Sequence, residues 1–241
     1  MSFSDWSKIV LAISLVAVTL IFLSPDDKVG YAENFTSLFY NLSDSHQGMS
    51  FRNLMTKYWD WWINVPAKTG LPMSQCDIKD IGNVVFLVDP LFTGKNQGYS
   101  CNIPEGKAIF FPLVMSEVDP KVPEYKNLNM TDKIMLEKAE EENLGSSFKV
   151  VIDGNVIPNN FLKTLTTHSP FWNISVVEPE NQFEAELGSY RAVTAGNYVF
   201  LKPLTPGWHE IHYEASSFKE DPNLSTQGII TYKIFVNSSS S

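Results

Sequence analysis

Two segments late in the chain alternate with a period of two: Ile211, Tyr213 and Ala215, set between His and Glu residues, then Ile230, Tyr232, Ile234 and Val236, with Thr231 and Lys233 between. Successive side chains on a strand point to opposite faces, so segments of this kind bury one face and wet the other. That periodicity demands strands and a second layer beneath their apolar side. Further strands are expected at Phe171–Val177 and Asn197–Leu201, and Asp153-Gly154 marks the tight turn of a hairpin over Phe148–Ile157. The stretch Leu204-Thr-Pro-Gly-Trp-His209 has the turn chemistry of a corner where the chain passes between two sheets. Asn83–Asp89 and Lys107–Met115 are continuous apolar runs, which read as strands buried on both faces or lying under a helix. The expected fold is mostly β, a sandwich of two sheets.

Helical periodicity is confined to two places in the body of the chain. Between Ser50 and Pro66 the residues Phe51, Leu54, Met55, Tyr58, Trp59 and Trp62 form an apolar stripe, with Arg52, Asn53, Thr56, Lys57 and Asp60 opposite. Ser50 can cap this helix and Pro66 stops it. Trp59 and Trp61 fall at the two edges of the stripe, where they form either a stacking platform for a ligand or the flanks of a helix packed on a sheet. Thr131–Asn143 is a second, surface helix capped by Thr131, and its Glu137, Glu140, Glu141 and Glu142 form a solvated face rather than a metal site.

The N-terminus supplies an address. Ile9–Leu23 is a run of 15 uncharged residues, shorter than the about 20 that a membrane-spanning helix needs. Gly30-Tyr31-Ala32 presents small residues before a plausible cleavage point. A cleaved signal and a retained anchor both put everything after residue 32 outside the cytoplasm, because Lys8 precedes the run and Asp26 and Asp27 follow it. Two further features agree with export. The two cysteines, Cys76 and Cys101, suit one disulfide in an oxidising compartment, the alternative being two buried thiols. Six N-x-[ST] sequons, at Asn34, Asn41, Asn129, Asn173, Asn223 and Asn237, are available for glycosylation. The expected organisation is an N-terminal hydrophobic helix within 1–32, a polar linker at 33–49, a sandwich domain at 50–237 and a tail at 238–241.

Composition removes some functions. With 18 basic against 27 acidic residues, a net charge of −9 and Arg52 and Arg191 as the sole arginines, the chain is unsuited to nucleic acid. No G-x-S-x-G, H-E-x-x-H or phosphate-binding loop occurs. His209 and His212, three apart on a strand, point to opposite faces and cannot share one ion without a bulge. A metal site could be assembled from His168, one strand histidine such as His209 and an acid such as Glu117, but His209 reads first as a corner residue bonded to nearby backbone. Arg191 could receive a carboxylate or sit in a surface ion pair. No cofactor is expected.

Several of these pieces occur in a familiar order. They are Tyr58-Trp-Asp-Trp-Trp62, Cys76, a Val-Val-Phe-Leu strand, Cys101-Asn-Ile-Pro-Glu-Gly-Lys-Ala-Ile-Phe-Phe-Pro112, Leu204-Thr-Pro-Gly-Trp-His-Glu-Ile-His-Tyr213 and Thr231-Tyr-Lys-Ile-Phe-Val236. Over residues 50–236 the chain resembles a family of uncharacterised exported proteins of bacteria and archaea, with a Trp-rich helix early and an Ig-like strand pair late. The resemblance implies an Ig-like or jelly-roll-like sandwich outside the cytoplasm and carries no catalytic residues. The leading expectation is a non-catalytic extracellular or cell-surface domain that binds a protein or glycan, with Trp59, Trp61 and Arg191 as contacts. The alternatives are a secreted hydrolase or metal-dependent enzyme with a site between the sheets, and a structural subunit of a cell-envelope or membrane complex.

Overall fold

The computed structural model describes residues 35–67, 77–81, 83–93, 96–121, 125, 129–217 and 226–238. A short 3-10 turn at Thr36–Leu38 leads to β1 (Ser45–His46) and β2 (Met49–Ser50), then helix α1 (Phe51–Trp62). There follow β3 (Asp77–Ile81), β4 (Val84–Phe86), α2 (Pro90–Thr93), β5 (Asn96–Pro104), β6 (Ala108–Val118) and α3 (Asp132–Glu141). The second half is β7 (Ser147–Ile152), β8 (Asn155–Ile157), α4 (Asn159–Lys163), β9 (Thr166–His168), β10 (Trp172–Val176), β11 (Gly188–Leu201), β12 (Gly207–Ser217) and β13 (Thr226–Asn237). No helix among the described residues is long and apolar enough to cross a membrane, and Ile9–Leu23 lies outside them.

The chain is mostly β, and its body is a sandwich. One sheet has the order β10-β11-β6-β4-β3, with β9 also on β11, and the other β5-β13-β12-β7-β8. The corner at residues 202–206 carries the chain from β11 in the first sheet to β12 in the second. Helix α1 begins at Ser50, whose Oγ accepts the Asn53 amide at 3.2 Å. It lies on the far side of the six-stranded sheet, so that sheet is the middle of three layers. Alternation along β6 shows this directly: Phe110 meets Phe51 and Tyr58 of the helix, while its neighbour Phe111 stacks on Tyr213 of the other sheet at 4.6 Å. Being covered on both sides explains why Ala108–Val114 of β6 and Ala192–Leu201 of β11 are buried without a break.

The first residues of this body are not a linker. Phe39 is buried, and hydrogen bonds from Tyr40 N to Phe200 O and from Lys202 N to Leu38 O pin the segment to the end of β11. The sequence there is polar on average, but one buried aromatic and two backbone bonds are enough to fix it. His46 is likewise half-buried, bonded through Nδ1 to the Tyr40 hydroxyl at 2.8 Å.

Tyrosine hydroxyls fix the seam between the layers. The Tyr58 hydroxyl of α1 donates to Leu87 O at 3.1 Å, and Tyr213 of β12 donates to Val88 O at 2.7 Å. Val88 N in turn donates to the hydroxyl of Tyr232 of β13 at 3.3 Å. The segment leaving β4 would otherwise bury unpaired backbone groups, and three rings satisfy it.

Candidate interaction surface

The tryptophans of α1 point inward. Trp59 and Trp61 are only 6% and 8% exposed. Trp59 Nε1 donates to Thr194 Oγ1 at 2.8 Å and to the Tyr198 hydroxyl at 3.2 Å, and Trp61 meets Tyr58 edge-on. Trp59, with Trp62, serves as a floor, and what stands on it is the loop at 177–187 between β10 and β11. Phe183 of this loop sits 5.8 Å from Trp59 and 6.3 Å from Trp62, ring to ring.

Two asparagines shape the loop. Asn64, just beyond α1, donates to Asp60 O and Ser175 O, both at 2.8 Å, and its Oδ1 accepts Val177 N at 2.8 Å and Glu178 N at 3.1 Å. Asn181 is buried at the loop's centre, where Nδ2 donates to Glu178 O and Ala185 O and Oδ1 accepts Phe183 N and Ala185 N. A side-chain amide that uses both ends replaces the ladder that a loop lacks. Further bonds run from Gln182 N to Val65 O, from Ala67 N to Glu180 O and from Gln182 Nε2 to Trp62 O. Glu184 holds a left-handed φ of 54°, the tight reversal that these bonds enforce.

On this fixed backbone, large apolar side chains face water. Val177 is 72% exposed, Leu187 52% and Phe183 36%. Single exposed apolar residues are ordinary, but three within eleven residues make this internally bonded loop one that presents apolar side chains to water. Glu186, between them, is paired with Lys121 at 3.0 Å.

The other sequence candidates lie elsewhere. Arg191 makes a two-pronged bond to Asp132, Nε to Oδ1 at 2.7 Å and Nη2 to Oδ2 at 2.6 Å, and lies over Phe171. That bond holds the Asp132 carboxyl below its usual range, and it ties the start of α3 to β11. His168 is gripped by Arg52, which donates to its carbonyl at 2.6 Å and reaches its Nδ1 at 2.8 Å. His209 bonds Asp153 Oδ2 at 2.7 Å and donates from Nε2 to the Thr205 carbonyl at 2.8 Å, a corner role. Glu117 has a buried Oε1 without a partner, and burial together with Asp119 and Glu142 raises its carboxyl well above the usual range. Among the described residues no three His, Cys, Asp or Glu side chains are placed to hold a metal ion. Cys101 faces inward on β5 and is not a free thiol, and Cys76 lies outside the described residues. Of the sequons, Asn41, Asn129, Asn173 and Asn237 are exposed, and Asn34 and Asn223 lie outside the described residues.

A second exposed feature escaped the sequence reading. Trp208 of β12 is 66% exposed and lies opposite Phe235 of β13, their rings 5.1 Å apart on the outer face of the five-stranded sheet. The alternation that puts Ile211 and Tyr213 inward puts Trp208 outward, and that phase was the available signal.

No family model matches the chain, and no curated protein does. Among solved structures, the cysteine protease inhibitor EhICP2 from Entamoeba histolytica overlaps 64% of this chain and 96% of its own, at 13% identity and a TM-score of 0.22. PbICP-C, solved in complex with falcipain-2, overlaps 60% of this chain and 89% of its own, at 15% identity and a TM-score of 0.19. Plasmodium falciparum protein Pf12p overlaps 61% and 45%, at 10% identity and a TM-score of 0.24. Overlaps of this size assign no function.

Proposed function

We propose that the chain is a non-catalytic interaction domain outside the cytoplasm, and that it binds a protein partner through the loop at 177–187. The observation that carries this reading is the combination of a backbone held by Asn64 and Asn181 with Val177, Phe183 and Leu187 turned to solvent. A loop already ordered loses little conformational freedom on docking, so its apolar area converts to affinity at low cost. Apolar anchors inside a rim of charges such as Glu186 and Lys121 are the usual make-up of a protein contact. The buried Trp59 acts through this loop, by supporting Phe183 together with Trp62, while Trp61 packs on Tyr58 and Phe86. In keeping with the oxidising location, Cys101 pairs with Cys76, and the intact mass rises by two hydrogens on reduction.

The test is a photo-crosslinking residue placed at Leu187, with a control at Lys149 on the far sheet, in protein exported by its own cells. The expected result is one discrete protein adduct at Leu187, absent from the control and lost on Val177→Asp. Equal labelling at both positions, or saturable turnover of a small substrate, would refute the reading.

A further inference from the structure

The outer face of the five-stranded sheet carries the exposed Trp208–Phe235 pair, and no described segment of the chain covers it. On β13 the residues of odd number face outward, opposite to the buried Ile230, Tyr232, Ile234 and Val236. Asn237 therefore shares its face with Phe235, two residues away and about 7 Å along the strand. Its backbone is fixed there, opposite Pro104 of β5 and accepting the Glu105 amide at 3.0 Å. Asn237 is exposed and opens the sequon Asn237-Ser238-Ser239.

We propose that Asn237 carries an N-linked glycan whose first sugar packs over Phe235 and Trp208. A pyranose has a face of C–H groups, and such a face covers an aromatic ring as an apolar side chain does. Phe235 is half-buried and its partner Trp208 open, so the pair, its rings tilted 49° to each other, offers an apolar surface at the distance a sugar linked to Asn237 reaches. In the transfer step, the Asn237 amide nitrogen bonds to the anomeric carbon of a sugar carried on a lipid pyrophosphate. The bond from that carbon to the phosphate oxygen breaks, the lipid pyrophosphate leaves with the electron pair, and the amide gives up one proton. The assignment needs export of the domain, as in the reading above, and does not need the loop at 177–187.

The experiment is glycopeptide mapping of the full chain recovered from its native export route. It is followed by hydroxyl-radical footprinting of Trp208 before and after enzymatic removal of the glycan. Expected are a glycan on Asn237 and oxidation of Trp208 that rises several-fold once the glycan is gone. The variant Phe235→Ser, whose change lies on the water side of the sheet, should keep the glycan and lose most of the protection. An unmodified Asn237 overturns the proposal, and so does Trp208 oxidation that is the same with and without sugar. Either result with the Leu187 adduct intact separates this failure from failure of the proposed function.

Discussion

Replacing Asp89 by Asn should alter how stability depends on pH more than it alters stability itself. Asp89 ends the segment held by the three tyrosines, and it is buried, with Oδ1 accepting the Leu91 amide at 2.9 Å. Burial pushes its carboxyl up to about 7 from an ordinary value near 3.8. The folded protein therefore binds a proton at this site that the unfolded chain releases near pH 4. Stability from this group is fully present below pH 4, and it is lost as pH rises toward and through 7. Over about three pH units, at about 1.4 kcal/mol per unit, the loss reaches an upper bound of about 4 kcal/mol. Tyr58, Tyr198 and Tyr213, the titratable groups that feel its charge, are themselves raised by burial and stay protonated throughout. Asn keeps the acceptor for Leu91 and removes the titration. Its extra amide adds a pH-independent cost of about 1–3 kcal/mol if left unbonded. Urea unfolding of both proteins from pH 4 to pH 8 gives the difference between them, in which the contribution of Glu117 cancels. Relative to wild type, Asp89→Asn should gain stability steadily as pH rises. A difference that stays flat across that range would refute the reasoning.

Two further substitutions test the packing. Asn181→Ala removes the side chain that satisfies four backbone groups of the loop at 177–187. It should cost about 1–3 kcal/mol, open the loop to limited proteolysis between Val177 and Leu187, and abolish the Leu187 adduct. Gly228→Ala would place a Cβ 1.6 Å from the Pro90 carbonyl oxygen, where β13 passes against α2. Because the obstacle is backbone, the expected loss is about 1–3 kcal/mol, read as a lower melting temperature with an unchanged circular dichroism spectrum at low temperature.

Local pattern made much of the fold legible. The alternation in β12 and β13, the Ser50 and Thr131 caps and the Asp153-Gly154 hairpin turn are all encoded within a few residues. Strand β5 was not read as a strand, although Tyr99, Cys101 and Ile103 alternate inward, because its outward residues are polar and its partner β13 lies more than a hundred residues away in parallel register. Pairing at such separation leaves no mark on either segment alone. The loop surface was hidden for a related reason. A helical wheel puts Trp59 at an edge of the stripe, but it cannot show that the loop at 177–187 lays Phe183 on it. Nor does any periodicity announce that Asn64 and Asn181 stand in for a missing ladder.

The place of β13 has a consequence for how the chain is made. It is the last strand among the described residues, yet it sits inside its sheet, between β5 and β12. While a ribosome still holds residues 226–237, β5 and β12 have no common neighbour, and the outer sheet cannot close. The sandwich therefore closes only after Thr226–Asn237 emerge, and pairing over so long a loop is slow. During that interval the edges of β5 and β12 that β13 will pair are open, which makes the newly made chain a natural client for a chaperone until β13 arrives.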